Sequence, residues 1–385
     1  MKKFDTVLQL AVSLLWLCAS AAASSEYVIA NNNNSVANSA TIYKVNSRTG
    51  RLAKVSTLHT GGQGLGVELD LSGVEQAVSR DMRCLFVLDT KSSDIAAFSK
   101  ATGYKRVGSY FDSNLISGVS GDSLALSPSG KFLYASYTYT DRLAVWEVNA
   151  DCTLGLTAIT PGVTVTGPLA VTPNGAHLLS RSGGYAVEFA IDPVTGNLTY
   201  IGAGIFETGA CARQQACIPY GIAITGDSRV AIFASYAPDA RREHMIPVML
   251  TAAITSKGLA NPKVRSLTLE KDLRFNIFPF LSSAAYEGSG TVYLGVTTGG
   301  GSTPGILTAD FTEKPVHFAV TNSTVVQPQV GNIAVTGNIM VIAEYPNQIG
   351  VFRIQKSGSL KLLSTTTIDE QGEGLFSLSI FPNTR

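Results

Sequence analysis

Apolar and polar residues alternate with a period of two along most of this chain, in short runs broken by turn residues. The clearest run is Ser123-Leu-Ala-Leu-Ser-Pro-Ser-Gly130 leading into Lys131-Phe-Leu-Tyr-Ala-Ser-Tyr137. A second is Leu169-Ala-Val-Thr-Pro-Asn-Gly175 leading into His177-Leu-Leu-Ser-Arg181. Weaker copies start at Gly221, Asn332 and Ser377, and degenerate ones lie within 66–79 and 280–288. Each copy predicts a strand, a turn built on Pro, Gly, Asn or Asp, and a second strand. Third strands follow, as in Leu143-Ala-Val-Trp-Glu-Val148 and Ile349-Gly-Val-Phe-Arg-Ile354. A glycine turn then leads to a fourth, as in Gly196-Asn-Leu-Thr-Tyr-Ile201.

Four short strands repeating every ~50 residues predict an all-β, seven-bladed β-propeller with four antiparallel strands per blade. No stretch demands a helix of any length. The chain enters with a second-type strand, Tyr27–Asn31, and finishes with a first-type strand, Phe376–Phe381. The C-terminal strand is therefore expected to join the N-terminal blade and close the ring, which leaves no exposed edge between first and last blades.

The first residues change the picture of where the protein works. Lys2 and Lys3, the apolar stretch Val7–Leu17 and the small residues Ala19–Ala23 read as a secretory signal. That stretch is too short to span a bilayer. Residues 1–23 are expected to be the signal and 24–385 a single propeller domain of a secreted or periplasmic protein, with a leader of bacterial type. Charged residues make up only 15% of the chain and the net charge is +1. No basic run offers the phosphate-neutralising footprint of a nucleic-acid binder, and no membrane span is expected. A monomer is expected.

Cys18 leaves with the signal, and Cys84, Cys152, Cys211 and Cys217 remain, an even number in an exported chain. Three pairings are possible. The short spacing favours Cys211 with Cys217, leaving Cys84 with Cys152. The alternative is four free thiols.

The segments Leu-Ala-Leu-Ser-Pro-Ser-Gly-Lys-Phe-Leu-Tyr-Ala-Ser at 124–136, Leu-Ala-Val-Thr-Pro-Asn-Gly at 169–175 and Asp94-Ile-Ala-Ala-Phe98 resemble the lactonase family of propellers. That family contains bacterial 6-phosphogluconolactonase and carboxymuconate-cyclase-type proteins. The likeness implies a seven-bladed fold and lactone hydrolysis by His, Arg and acidic side chains at the channel mouth. Family members typically open their first strands with a basic pair. Here those positions hold Asp122-Ser123, Gly167-Pro168, Tyr220-Gly221, Gly331-Asn332 and Phe376-Ser377, none of them Arg or His. No catalytic residue of the family carries over.

Topology supplies a site independently. First strands begin, and second strands end, on one face of a propeller. The ends of the second strands predict a ring of Asn31, Asp89, Tyr137, Arg181, Tyr236, Val296 and Glu344, with Asp122 and Tyr220 just inside. A few polar groups converging in a concavity suit a small ligand. Arg181 could clamp a carboxylate or phosphate, or form a salt bridge across the channel. Asp122 or Glu344 could act as a general base, and any two of Asp89, Asp122 and Glu344 could instead hold a divalent cation or cap loops. His59, His177, His244 and His317 are scattered, with no zinc-ligand spacing, so neither a metal nor a cofactor is expected. The loop Ala210–Pro219 would stand on the mouth face and present Arg213, Gln214 and Gln215.

Two functions remain open. The first is a non-catalytic exported propeller binding a small lactone or carboxylate, a carbohydrate or a protein partner. The alternative is a lactone hydrolase or cyclase with a rearranged site, acting on a sugar or muconate lactone.

Overall fold

The computed structural model describes residues 26–66, 75–111, 121–137, 142–161, 165, 167–207, 211, 217–238, 245–267, 279–287, 290–298, 305–310, 317–320, 329–345, 347–368 and 377–382. The proposed signal, Arg213 to Gln215 and Phe376 lie outside them. The described residues form a β-propeller of four-stranded antiparallel sheets, seven in number. Blade 1 comprises Glu26–Asn31, Ser39–Val45, Leu52–His59 and the C-terminal Ser377–Pro382. Blade 2 runs from Gln76–Val78 to Lys105–Tyr110, blade 3 from Gly121–Leu126 to Leu154–Pro161, and blade 4 from Ala170–Val171 to Leu198–Gly204. Blade 5 runs from Ile222–Ile224 to Gly258–Ser266, blade 6 from Pro279–Glu287 to His317–Val320, and blade 7 from Gln329–Thr336 to Leu360–Thr367.

The recurring turn has a local cause. In blade 3 the N–H of Gly130 donates to the Ser127 carbonyl at 2.8 Å, and Gly130 takes φ 71°, a left-handed conformation that suits glycine. Gly175 and Thr172 repeat the arrangement in blade 4. The residue before the turn is Ser or Thr because its hydroxyl accepts the first N–H of the next strand. Ser79 accepts from Cys84, Ser127 from Phe132, Thr172 from His177 and Thr225 from Val230. In blade 4 the first strand shrinks to Ala170–Val171. Pro168 and Pro173 flank it and have no N–H to give a ladder.

The core lies between the blades. Each apolar cluster is shared by two successive sheets. Phe86, Leu88, Leu133 and Tyr137 join blades 2 and 3, and Leu179, Phe206, Phe233 and Leu250 join blades 4 and 5. Val28, Leu378 and Ile380 of blade 1 pack with Val341 and Val351 of blade 7. The C-terminal strand pairs antiparallel with the N-terminal one, Glu26 opposite Pro382 and Asn31 opposite Ser377.

Two disulfides are formed. Cys84 pairs with Cys152 across blades 2 and 3, and Cys211 with Cys217 within one loop.

One buried polar pair was not expected. His177 Nδ1 lies 2.8 Å from Glu188 Oε1, with Glu188 fully buried on the sheet face that carries Leu179 toward blade 5. The two atoms approach closely without the geometry of a hydrogen bond, and neither has another partner among the described residues. Burial pushes Glu188 up to about 7 and pulls His177 down from its ordinary value. The raised Glu188 contributes stability that is lost as pH rises through about 7. The lowered His177 contributes stability that is lost as pH falls through its depressed value. Thermal melts from pH 6 to 8.5 should therefore show Glu188→Gln losing less stability than wild type on the alkaline side, by on the order of 1–3 kcal/mol. Parallel pH dependences for the two proteins would refute a raised Glu188 carboxyl.

Candidate functional site

Asp122, Asp89, Glu344 and Glu75, all at the mouth end, differ sharply in their surroundings. Asp122 begins blade 3, and its Oδ2 accepts the backbone N–H of Gly167 from the adjacent blade. Next to it Ser123 Oγ accepts the Leu169 N–H at 3.1 Å. The same device recurs at blade 1, where Ser377 Oγ accepts the Glu75 N–H at 2.9 Å and donates to Gln76 Oε1 at 2.6 Å. Polar residues opening the first strands thus fasten one blade to the next.

Asn31 and Asp89 are consumed in such a seam. Both are fully buried. Asn31 Nδ2 donates to Glu75 Oε2 at 2.7 Å and to the Leu88 carbonyl, while its Oδ1 accepts from Asn38 Nδ2. Asp89 Oδ1 accepts from Asn38 Nδ2 at 2.8 Å and from Thr60 Oγ1 at 2.7 Å. The expectation that these two side chains open onto the mouth is corrected: they bond across blades 1 and 2 because a buried amide or carboxylate must find partners.

Tyr137 is also fully buried, within the core shared by blades 2 and 3. Glu344 is fully buried and neither of its oxygens has a hydrogen-bond partner among the described residues. It packs against Gly350, where a Cβ would come within 2.6 Å of Oε1. Burial pushes its carboxyl up to about 7, so near neutrality it can hold or release a proton. The backbone of Val296 is in a strand, but its side chain lies outside the description.

Arg181, Tyr220 and Tyr236 do come together. Arg181 ends the second strand of blade 4, Tyr220 precedes the first strand of blade 5, and Tyr236 lies in its second strand. The Arg181 guanidinium sits 5.1 Å from the centroid of the Tyr220 ring. Tyr220 stacks on Tyr236 with centroids 5.5 Å apart and planes 21° apart, and their hydroxyls are hydrogen-bonded at 2.9 Å. Gly167 makes room for this: a side chain there would strike Arg181 Nε. Asp122 and Arg181 therefore press on the same glycine, one on its N–H and one on its open face. Arg181 is only 6% exposed, whereas both tyrosines are half-buried.

Glu75 is the residue that sequence reasoning missed. It stands directly before the Gln76–Val78 strand, as Tyr220 stands near the start of blade 5, and is buried against Asn31. Its repeat copy is degenerate, so only the alignment of that short strand with the better copies could have placed it. Among the described residues no group of three or more His, Cys, Asp or Glu is arranged to hold a metal.

No family model matches the sequence, and no curated protein matches it either. Solved structures do share its fold. A Bacteroides uniformis protein provisionally assigned as a 6-phosphogluconolactonase superposes with a TM-score of 0.65 at 12% identity, covering 93% of this chain and 99% of that one. A similarly assigned Bacteroides fragilis protein gives 0.64 at 12% identity, covering 94% and 99%. The periplasmic gluconolactonase PpgL of Pseudomonas aeruginosa gives 0.52 at 17% identity, covering 94% and 86%.

Proposed function

We propose that this chain, which has the fold of lactonase-type propellers, is an exported closed ring of seven blades that binds a small carboxylate- or lactone-bearing molecule at its mouth. The observation that carries the reading is the Arg181–Tyr220–Tyr236 stack across blades 4 and 5. The guanidinium, only slightly exposed, lies over the face of the Tyr220 ring, an arrangement that is stronger when little water reaches it. The linked phenols add a flat, amphipathic surface with polar tips, suited to an oxygen-rich ring. The lactonase assignments of structures that share the fold point to the same ligand class. Two disulfides, and no helix among the described residues long and apolar enough to cross a membrane, fit an extracellular or periplasmic setting.

Glu344 favours a second reading, in which the bound lactone is hydrolysed. Its carboxyl, poised near neutrality by burial, can take up or give a proton as a general acid or base does.

The test is binding and turnover measured over a panel of sugar and muconate lactones and their open carboxylates. Arg181→Ala should weaken binding about tenfold to a hundredfold, the worth of one charge-assisted contact. Arg181→Lys should recover little, since a point charge reproduces neither the fork nor the stacking. An Arg181→Ala protein that melts earlier yet binds as wild type would reduce Arg181 to a structural brace. Turnover abolished by Glu344→Gln with binding retained would establish the hydrolase reading, and binding without turnover the non-catalytic one.

A further inference from the structure

We propose that Asp89 and Asp94 hold a calcium ion at the mouth-side seam between blades 1 and 2. The two residues face each other across the hairpin that joins Cys84–Asp89 to Asp94–Ser99. Asp89 is fully buried, and both its hydrogen-bond donors, Asn38 and Thr60, go to Oδ1. Oδ2 has no hydrogen-bond partner among the described residues. It is turned toward Gly62 and Asp94. A Cβ on Gly62 would sit 2.6 Å from Asp94 Oδ1 and closer still to Asp89 Oδ2, so two carboxylate oxygens converge on one glycine.

A buried carboxylate oxygen aimed at a second carboxylate is costly unless a positive charge or a proton lies between them. Arg106 is the cation nearby. Its Nη1, however, donates to the Thr60 carbonyl and its guanidinium packs on Gly61. Burial and the repulsion from Asp94 outweigh the attraction of Arg106, leaving the Asp89 carboxyl raised to about 7. One arginine against two carboxylates also leaves a net negative charge for a cation to meet.

The donor set selects the ion. The oxygens around the gap are the two carboxylates and the hydroxyls of Ser92 and Ser109, which donate to Asp94. The nitrogens nearby, Asn38 Nδ2 and the Arg106 guanidinium, are donors and not metal ligands. No imidazole or thiolate is among them, which disfavours zinc and suits a hard cation. Asp94 is half-buried, so water can complete the shell from its side. Calcium accepts such irregular, water-completed coordination, whereas magnesium holds its own waters and demands an octahedron. With two carboxylates the affinity belongs in the weak range of extracellular calcium modules, ~0.1–1 mM. The ion would tie the connection Thr60–Gly66, which leaves the outer strand of blade 1, to the second strand of blade 2.

The experiment uses the full-length, disulfide-bonded protein. Melting temperature is measured in chelator, in about 5 mM calcium chloride and in equimolar magnesium chloride at matched ionic strength. Calcium should raise Tm by about 2–4 °C and magnesium by much less. Asp94→Asn, at a half-buried position, leaves one seryl hydroxyl donating to the amide oxygen and turns the other to accept from the amide NH2, and should remove the calcium increment. Terbium luminescence displaced by calcium in wild type, and absent in Asp94→Asn, gives a readout independent of folding. No calcium increment, an equal one from magnesium, or an increment surviving in Asp94→Asn would each overturn the proposal. Stabilisation by acid alone, with calcium inert, would assign the gap to a proton shared by the two carboxyls.

Discussion

Removal of the last strand, by truncation before Ser377, should leave a protein with no cooperative thermal transition. Glu26–Asn31 would keep Ser39–Val45 but lose its other partner along its whole length, from Glu26 opposite Pro382 to Asn31 opposite Ser377. Leu378 and Ile380, which fill the seam against blade 7, would vanish from a core that is otherwise close-packed. Ser377 also supplies the hydroxyl that accepts the Glu75 N–H and donates to Gln76, so blade 2 loses its fastening as well. Deleting two buried large side chains costs about 2–5 kcal/mol each, already comparable with the ~5–15 kcal/mol that stabilises a whole domain. Calorimetry on the truncated chain checks this, and an unchanged melting temperature would show that the ring does not depend on its closing strand.

The second large effect concerns Cys84–Cys152. Its two half-cystines are 68 residues apart, and cross-linking a loop of that length stabilises by about 4 kcal/mol through restriction of the unfolded chain. Cys211–Cys217, only 6 apart, should give about 2 kcal/mol on the same argument. Replacing Cys84 and Cys152 by alanine should therefore lower the denaturation midpoint markedly more than replacing the other pair. Both Cys84 and Cys152 are fully buried in the core between blades 2 and 3, so their removal also loosens packing there. Equal midpoints for the two double variants would mean that native-state strain, and not loop entropy, governs these bridges.

Much of the architecture could be read from local pattern. The Ser-Pro-Ser-Gly turn at 127–130 is legible because everything it needs is within six residues: the Ser127 hydroxyl, the left-handed Gly130 and the Phe132 N–H it caps. Strand bounds moved by a residue or so, from Tyr27 to Glu26 at the N-terminus. Where the pattern was degenerate the reading weakened, and Glu75 was lost with it. The candidate site was legible only as positions. Strand-end register correctly brought Arg181, Tyr220 and Tyr236 to neighbouring blade ends, and they do meet. The same register offered Asn31 and Asp89 as ligand contacts, and both are buried in bonds to one another's neighbours.

What the sequence by itself determined is the periodic part: strand alternation, hydroxyl-capped turns, four strands to a unit and one pair of cysteines, Cys211 and Cys217, close in the chain. These follow from backbone geometry and from hydrogen bonds between residues a few positions apart. Tertiary structure alone decided which mouth-end side chains gather in the Arg181–Tyr220–Tyr236 stack and which are spent on holding blades together. Asn31 finds Glu75 at a separation of 44 residues, Asn38 finds Asp89 at 51, and Arg181 finds its aromatic partner on the next blade. A buried polar group takes whichever donor the neighbouring blade presents, and that depends on how two sheets twist against each other, which no run of residues within one blade encodes.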